Sequence, residues 1–374
     1  MRRTLLATLF LAGALGAQST VVVPAGFANK EGGSYHWVLG YYQVARLQQI
    51  YAKSAMPSTP LVIKSFKVRR DGMNASTFQA HSYAYDVFMS NRAVDPPTNC
   101  SYGWALNHGV DLTKVISKKT VSWPAVPKPT TPPAPFNILF PLDKPFPYKG
   151  KAFVIEFKTV PPAQVSKYYY RWYNDAEYYS SSVGWNYPKT VRPVQIGKSC
   201  RPKGATSDPA NYGYYPYPGS PFWFYSYWRV SKAGIPAVIF IGSTDKKWGS
   251  INLPFDLAPL GAPGCHVYVD MVLASASKTN AGGRADFKLG LVPLDSTLTG
   301  QVFYNQQFAF DPSFNAMGMV STYGRKYTVG TGFSGTAPGF CFYSYKYSAS
   351  SSNDPNDPMA VYYTSRANII EITY

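Results

Sequence analysis

Apolar and polar residues alternate with a period of two along much of this chain, the period of a strand with one buried face. Residues 151–160 (KAFVIEFKTV) set Phe153, Ile155 and Phe157 inward and Glu156 and Lys158 outward. Residues 61–68 are read the same way, with Val62, Phe66 and Val68 facing in and lysines facing out, before a turn at Asp71 and Gly72 that would open a hairpin. Tyr83, Tyr85, Val87 and Met89 mark another half-buried strand. In residues 41–51, Val44, Leu47, Ile50 and Tyr51 have nearly helical spacing, but no capping residue flanks them, and a strand is expected. The run GIPAVIFIG at 234–242 is continuously apolar, as a strand covered on both faces would be.

Two stretches break the alternation. Residues 124–147 are proline-rich, which excludes helix and central strand. Phe136, Ile138, Leu139 and Phe140 argue for a loop pinned to the fold and against a free linker. Residues 168–228 hold the densest aromatic runs, SKYYYRWYNDAEYYSSSVGWNY and, after a loop, NYGYYPYPGSPFWFYSYW. Such composition suits a contact surface, since Tyr and Trp bring large apolar area with a polar tip, or else the packed face of a sheet. Further short runs follow to the C-terminus, and no amphipathic helix interrupts them. The expectation is an all-β chain of two β-sandwich or jelly-roll-like domains, residues 18–242 and 243–374, with the aromatic stretch as an insertion.

Composition adds a compartment. Residues 1–17 carry two arginines, an apolar run and small residues at Gly16 and Ala17, the form of a secretory leader. No later run reaches the length of a membrane span. The four cysteines, Cys100, Cys200, Cys265 and Cys341, are an even number in an exported chain and favour disulfides. Three pairings are possible; separately folding halves would pair Cys100 with Cys200 and Cys265 with Cys341. With 36 Lys and Arg against 19 Asp and Glu, the formal charge of +17 draws polyanions. The basic residues are scattered rather than striped, which speaks against nucleic acid.

Candidate chemistry is sparse. Gly330, Gly332 and Gly335 spell a dinucleotide-loop pattern, but no helix follows to receive a pyrophosphate. His266 and Asp270 share a strand face without a third ligand, while His36, His81 and His108 stand alone. Asp175 and Glu177 form a carboxylate pair of the kind a glycoside hydrolase uses, though a solvated acidic pair is the plainer account. Asn353, Asp354, Asn356 and Asp357 fit a turn better than a calcium loop. No cofactor or metal is expected.

The segments VVVPAGFA, GAPGC at 261–265, TGQVFYNQ at 299–306 and DPSFNAMGMVS at 311–321 resemble a large group of secreted bacterial β-sandwich proteins without assigned function. The resemblance implies secretion and a β-sandwich, and carries over no catalytic residue.

Together these features point to a non-enzymatic structural or adhesive protein of the cell surface. It would assemble with copies of itself through the apolar terminal strands VVVP and ANIIEITY. The alternative is a carbohydrate-binding module for acidic or neutral polysaccharide. Its contact residues would be Tyr168, Tyr170, Trp172, Trp185, Tyr187, Trp223 and Trp228, and replacing Trp223 should destabilise the fold more than replacing Trp172.

Overall fold

The computed structural model describes residues 18–36, 39–42, 44–96, 100–101, 103–160, 170, 172–178, 185–186, 189–332, 334–335, 341–347, 362–364 and 366–374. Residues 1–17, read above as a leader, and 353–357, read as a turn, lie outside them. Strands make up 47% of the protein and helices 4%, so the all-β expectation holds at that level, with several antiparallel sheets.

Two of these sheets enclose a first core. One runs Thr20–Val23, Ile370–Thr373, Leu61–Val68, Ile138–Tyr148; the other runs Tyr362–Thr364, Cys341–Tyr347, Ala45–Tyr51, Ala152–Val160, His81–Arg92, Thr113–Trp123. Their buried faces meet, with Phe66 stacked on Phe140 at 4.7 Å and edge-on to Phe157 at 5.6 Å. A smaller sheet, Ser34–His36, Asn174–Tyr178 and Arg366–Asn368, closes one side.

A second core lies between other strands. Val194–Ile196, Gly324–Thr328, Val302–Phe310, Pro236–Gly242 and Leu273–Lys278 form one sheet in that order, and Ala210–Gly213, Pro221–Tyr227 and Arg284–Leu291 form a three-stranded sheet. Phe224, Ile239, Phe287, Phe308 and Tyr327 are buried together here. The chain thus fills the first core with residues up to Tyr173, builds the second from Cys200 to Tyr327, and returns to the first with Ile370 and Ile372. The division expected after Gly242 falls inside this second set of sheets, because the strand Pro236–Gly242 pairs on both sides, with Val302–Phe310 and Leu273–Lys278.

Several local expectations are corrected. Val62 is 49% exposed while Ile63, Phe66 and Val68 are buried. A register shift between Ile63 and Ser65 moves the inward face from odd to even positions, which simple alternation cannot register. No hairpin starts at Asp71 and Gly72; the strand before them pairs instead with Ile370–Thr373 and Ile138–Tyr148. Glu156, expected outward, is 2% exposed, because the strand Ala152–Val160 is covered on its second face too. The proline-rich segment holds a strand, Ile138–Tyr148, at a sheet edge where missing N–H donors are tolerated. The C-terminal strand offers no open edge: Ile370–Thr373 lies between Thr20–Val23 and Leu61–Val68, so the two termini pair with each other. Of the two terminal strands expected to pair with a neighbour, only Thr20–Val23 stands at the end of this sheet.

Candidate functional site

The strand Pro221–Tyr227 carries aromatic residues on both faces, and its alternation decides which are available. Phe224 and Ser226 are buried toward the second core, where Phe224 meets Tyr327 at 5.4 Å and Phe303 at 6.2 Å. Trp223, Tyr225 and Tyr227 take the opposite face. The neighbouring strand places Tyr212 opposite Tyr225, and beyond its end the Tyr214 N–H donates to the Trp223 carbonyl. These registers produce two cross-strand stacks: Tyr212 on Tyr225 with centroids 5.2 Å apart and planes at 17°, and Tyr214 on Trp223 at 5.3 Å and 19°. Gly213 between them faces Phe224, where a Cβ would come within 2.5 Å of the ring, so only glycine lets the strands approach this closely.

A groove of about 760 Å³ opens over these stacks. Tyr212, Tyr214, Tyr215, Trp223 and Tyr225 form its aromatic lining, and Arg192, Arg284 and Arg325 its basic lining, with Pro193, Gln195 and Gly213 between. Tyr214 and Tyr215 are 44% and 43% exposed, so apolar ring surface is presented to solvent. Arg284 lies over Tyr225 at 4.2 Å and is ion-paired with Asp286, whose Oδ1 also accepts from Trp223 Nε1 at 3.1 Å. Lys288 sits over the Trp223 ring at 4.9 Å. Arg325 donates from Nη2 to Tyr323 Oη at 3.1 Å and lies over the Tyr323 and Tyr212 rings. Burial in this layer pushes the Tyr225 hydroxyl above its ordinary pKa, with Arg284 opposing.

Of the residues expected to make contact, Trp223 is the one that lines this groove among the described residues. Trp172 is fully buried in the first core, 5.0 Å from Phe78 and 5.1 Å from Trp123, and Trp228 is fully buried in the second. Neither faces solvent, so both leave the list of contact residues. Tyr170 stacks on His81 at 4.4 Å against the first core. Trp185 lies on a short strand that pairs with Ser334–Gly335 as a separate two-stranded sheet, and Tyr168 and Tyr187 lie outside the described residues. Tyr212, Tyr214, Tyr215, Arg284 and Arg325 were not singled out from sequence; only the strand pairing assembles them.

The expected disulfide pairing is also corrected. Cys200 is bonded to Cys265, and both belong to the second core. Cys100 is a buried free thiol, which burial pushes up to about 12. Cys341 heads the strand Cys341–Tyr347, which pairs with Ala45–Tyr51 in the first set of sheets. The pairing by halves assumed a boundary that the sheets do not follow.

Other polar clusters are interior. Ser90 Oγ lies 2.8 Å from His108 Nδ1, and His108 Nε2 lies 3.1 Å from Glu156 Oε2, the order of a hydroxyl, an imidazole and an acid in a nucleophilic triad. Ser90 is fully buried, and Glu156 is also bound by Arg46 and Gln48, so the cluster serves to satisfy buried polar groups. Burial alone would raise the Glu156 carboxyl, but His108 and Arg46 hold it below its usual range.

The Asp175 and Glu177 pair splits between different partners. Glu177 accepts from the Gly33 N–H, while buried Asp175 is ion-paired with buried Arg69. Asp175 joins Glu31 and Asp71, with carboxylate oxygens within 4.8 Å of one another. Burial, then the neighbouring Asp175 charge, raises the Glu31 carboxyl to about 7. His266 approaches Asp256 at 3.9 Å, whereas Asp270 accepts from the Ser243 and Thr244 N–H groups, so the two do not form a pair.

No family model, no curated protein and no solved structure matches this chain.

Proposed function

We propose that this protein is a secreted, non-enzymatic binding protein that holds a polysaccharide chain in the groove over Trp223, with an adhesive role at a cell surface. The carrying observation is the pair of parallel ring stacks, Tyr214 with Trp223 and Tyr212 with Tyr225, set side by side under an open groove. Pyranose rings present flat C–H faces that pack on aromatic rings, while tyrosine hydroxyls and guanidinium groups satisfy sugar hydroxyls. A groove lined by rings with a few polar groups is the common form of a ligand site.

The rest of the chain is consistent with that reading. In it, the two cores are two β-sandwich units of jelly-roll type, and the arginine-bearing apolar leader at 1–17 directs export. The Cys200–Cys265 disulfide suits an oxidising compartment. No helix among the described residues is long and apolar enough to cross a membrane. The chain would then be held at a surface by the glycan it binds.

Binding of the purified mature protein to an array of neutral and acidic polysaccharides tests the proposal. Retention on one glycan class, lost in Trp223→Ala, is the expected result. Absence of retention on every glycan would overturn it.

A further inference from the structure

We infer that the sugar chain this groove takes is anionic, its carboxylate or sulfate groups pairing with Arg325 and Arg192; this rests on the polysaccharide reading above. The groove contains three guanidinium groups in different situations. Arg284 has its charge met inside the sheet by Asp286 and lies against Tyr225. Its role is to hold the aromatic layer. Arg325 is half-buried and has Tyr323 Oη as a neutral hydrogen-bond partner; Arg192, which also lines the groove, is exposed. Neither forms an ion pair with a carboxylate among the described residues, and no acidic side chain lines the groove among them.

That asymmetry points to an external anion. A guanidinium presents a planar fork that matches a carboxylate or sulfate, and the match gains strength where rings exclude part of the solvent. Arg325 is placed that way: the Tyr212 and Tyr323 rings lie beside its guanidinium, which fixes its orientation before a ligand arrives. Arg192, exposed and long, would add attraction and a second contact along the sugar chain. The chain's excess of Lys and Arg, 36 against 19 acids, raises the local concentration of any polyanion around the groove. A neutral sugar would use the ring stacks and offer the two guanidinium groups hydroxyls but no charge to pair.

Two matched pairs of probes separate charge from ring stacking: polygalacturonate against its methyl ester, and dextran sulfate against dextran. Titration calorimetry in 0.15 M salt should show one acidic member bound at least about tenfold more tightly than its neutral partner, and which pair shows the difference identifies carboxylate or sulfate. Arg325→Gln should remove most of the preference, and Arg325→Lys should restore only part of it, because lysine lacks the fork. Arg192→Gln, at an exposed site where a substitution should cost little stability, should lower acidic binding severalfold and neutral binding much less. Equal binding of acidic and neutral members overturns the inference while the polysaccharide reading stands. Acidic binding unchanged by Arg325→Gln and Arg192→Gln overturns it too, by placing the anion elsewhere. Tighter binding of a single-stranded oligonucleotide than of either acidic sugar also overturns it. Failure of all four sugars to bind, alongside a blank array, removes the polysaccharide reading itself.

Discussion

Replacing Trp172 and Trp223 separately by alanine distinguishes interior from groove, and the full burial of Trp172 reverses the order of stability loss expected from the sequence. Trp172 is fully buried, touches Phe78 and Trp123, and donates from Nε1 to Asn174 Oδ1 at 3.1 Å. Truncation removes a whole indole from a packed core, which costs about 3–5 kcal/mol. It also strips a hydrogen bond from Asn174, itself fully buried, adding about 1–3 kcal/mol where no water replaces it. At roughly 2–4 °C per kcal/mol for a unit of 150–250 residues, the melting temperature should fall by about 8 °C or more. Trp223 is half-buried and packs against Tyr214, Lys288 and Asp286 on an outer face. Its removal leaves a site open to water, and the cost should be about 1 kcal/mol, as for side chains outside a core. Differential scanning calorimetry of the two variants measures both. A larger loss of stability in Trp223→Ala than in Trp172→Ala would refute the assignment of faces on which the groove rests.

Further outcomes follow from the interior clusters. The folded protein holds the Glu31 carboxyl at about 7 against an ordinary 4.5, so between those values the folded state binds more proton than the unfolded one, and stability falls as pH rises from about 4.5 to 7. Asp71 and Asp175 are raised by burial in the same sense. Melting temperature against pH should therefore slope downward across this window and flatten in Glu31→Gln; an identical slope in the variant would contradict the cluster. The Cys200–Cys265 bond closes a separation of 65 residues and should stabilise the fold by about 4 kcal/mol in the chain-entropy model. A non-reduced digest should yield that linked pair, and Cys100 should alkylate only after unfolding; a linked Cys100–Cys200 peptide would refute the assignment.

The sequence shows its fold class openly and its site poorly, for one physical reason. Period-two alternation reveals strands, and residues such as Phe153, Ile155 and Phe157 lie inside as their spacing requires. Alternation says nothing of pairing between distant strands, so the return of Ile370 and Ile372 to the first core could not be read. Nor does it mark a bulge, which is why Val62 faces out. In FWFYSYW both faces of one strand are aromatic, one packing on Phe303 and Tyr327, the other forming the groove. Hydrophobicity cannot rank two aromatic faces; only the sheet's position over a core does. Trp172, among polar and acidic neighbours in sequence, looked exposed because the burial of Asn174 and Asp175 depends on partners such as Leu39 and Arg69, more than a hundred residues away.

The central claim, that a polysaccharide lies on the stacked rings, is tested most directly by titrating the array's best-bound oligosaccharide into wild-type protein and Trp223→Ala by calorimetry. A central aromatic contact is worth about 2 kcal/mol or more, so affinity should fall about 30-fold or more while the melting temperature stays within a few degrees of wild type. Equal affinity in a folded Trp223→Ala protein would contradict the claim.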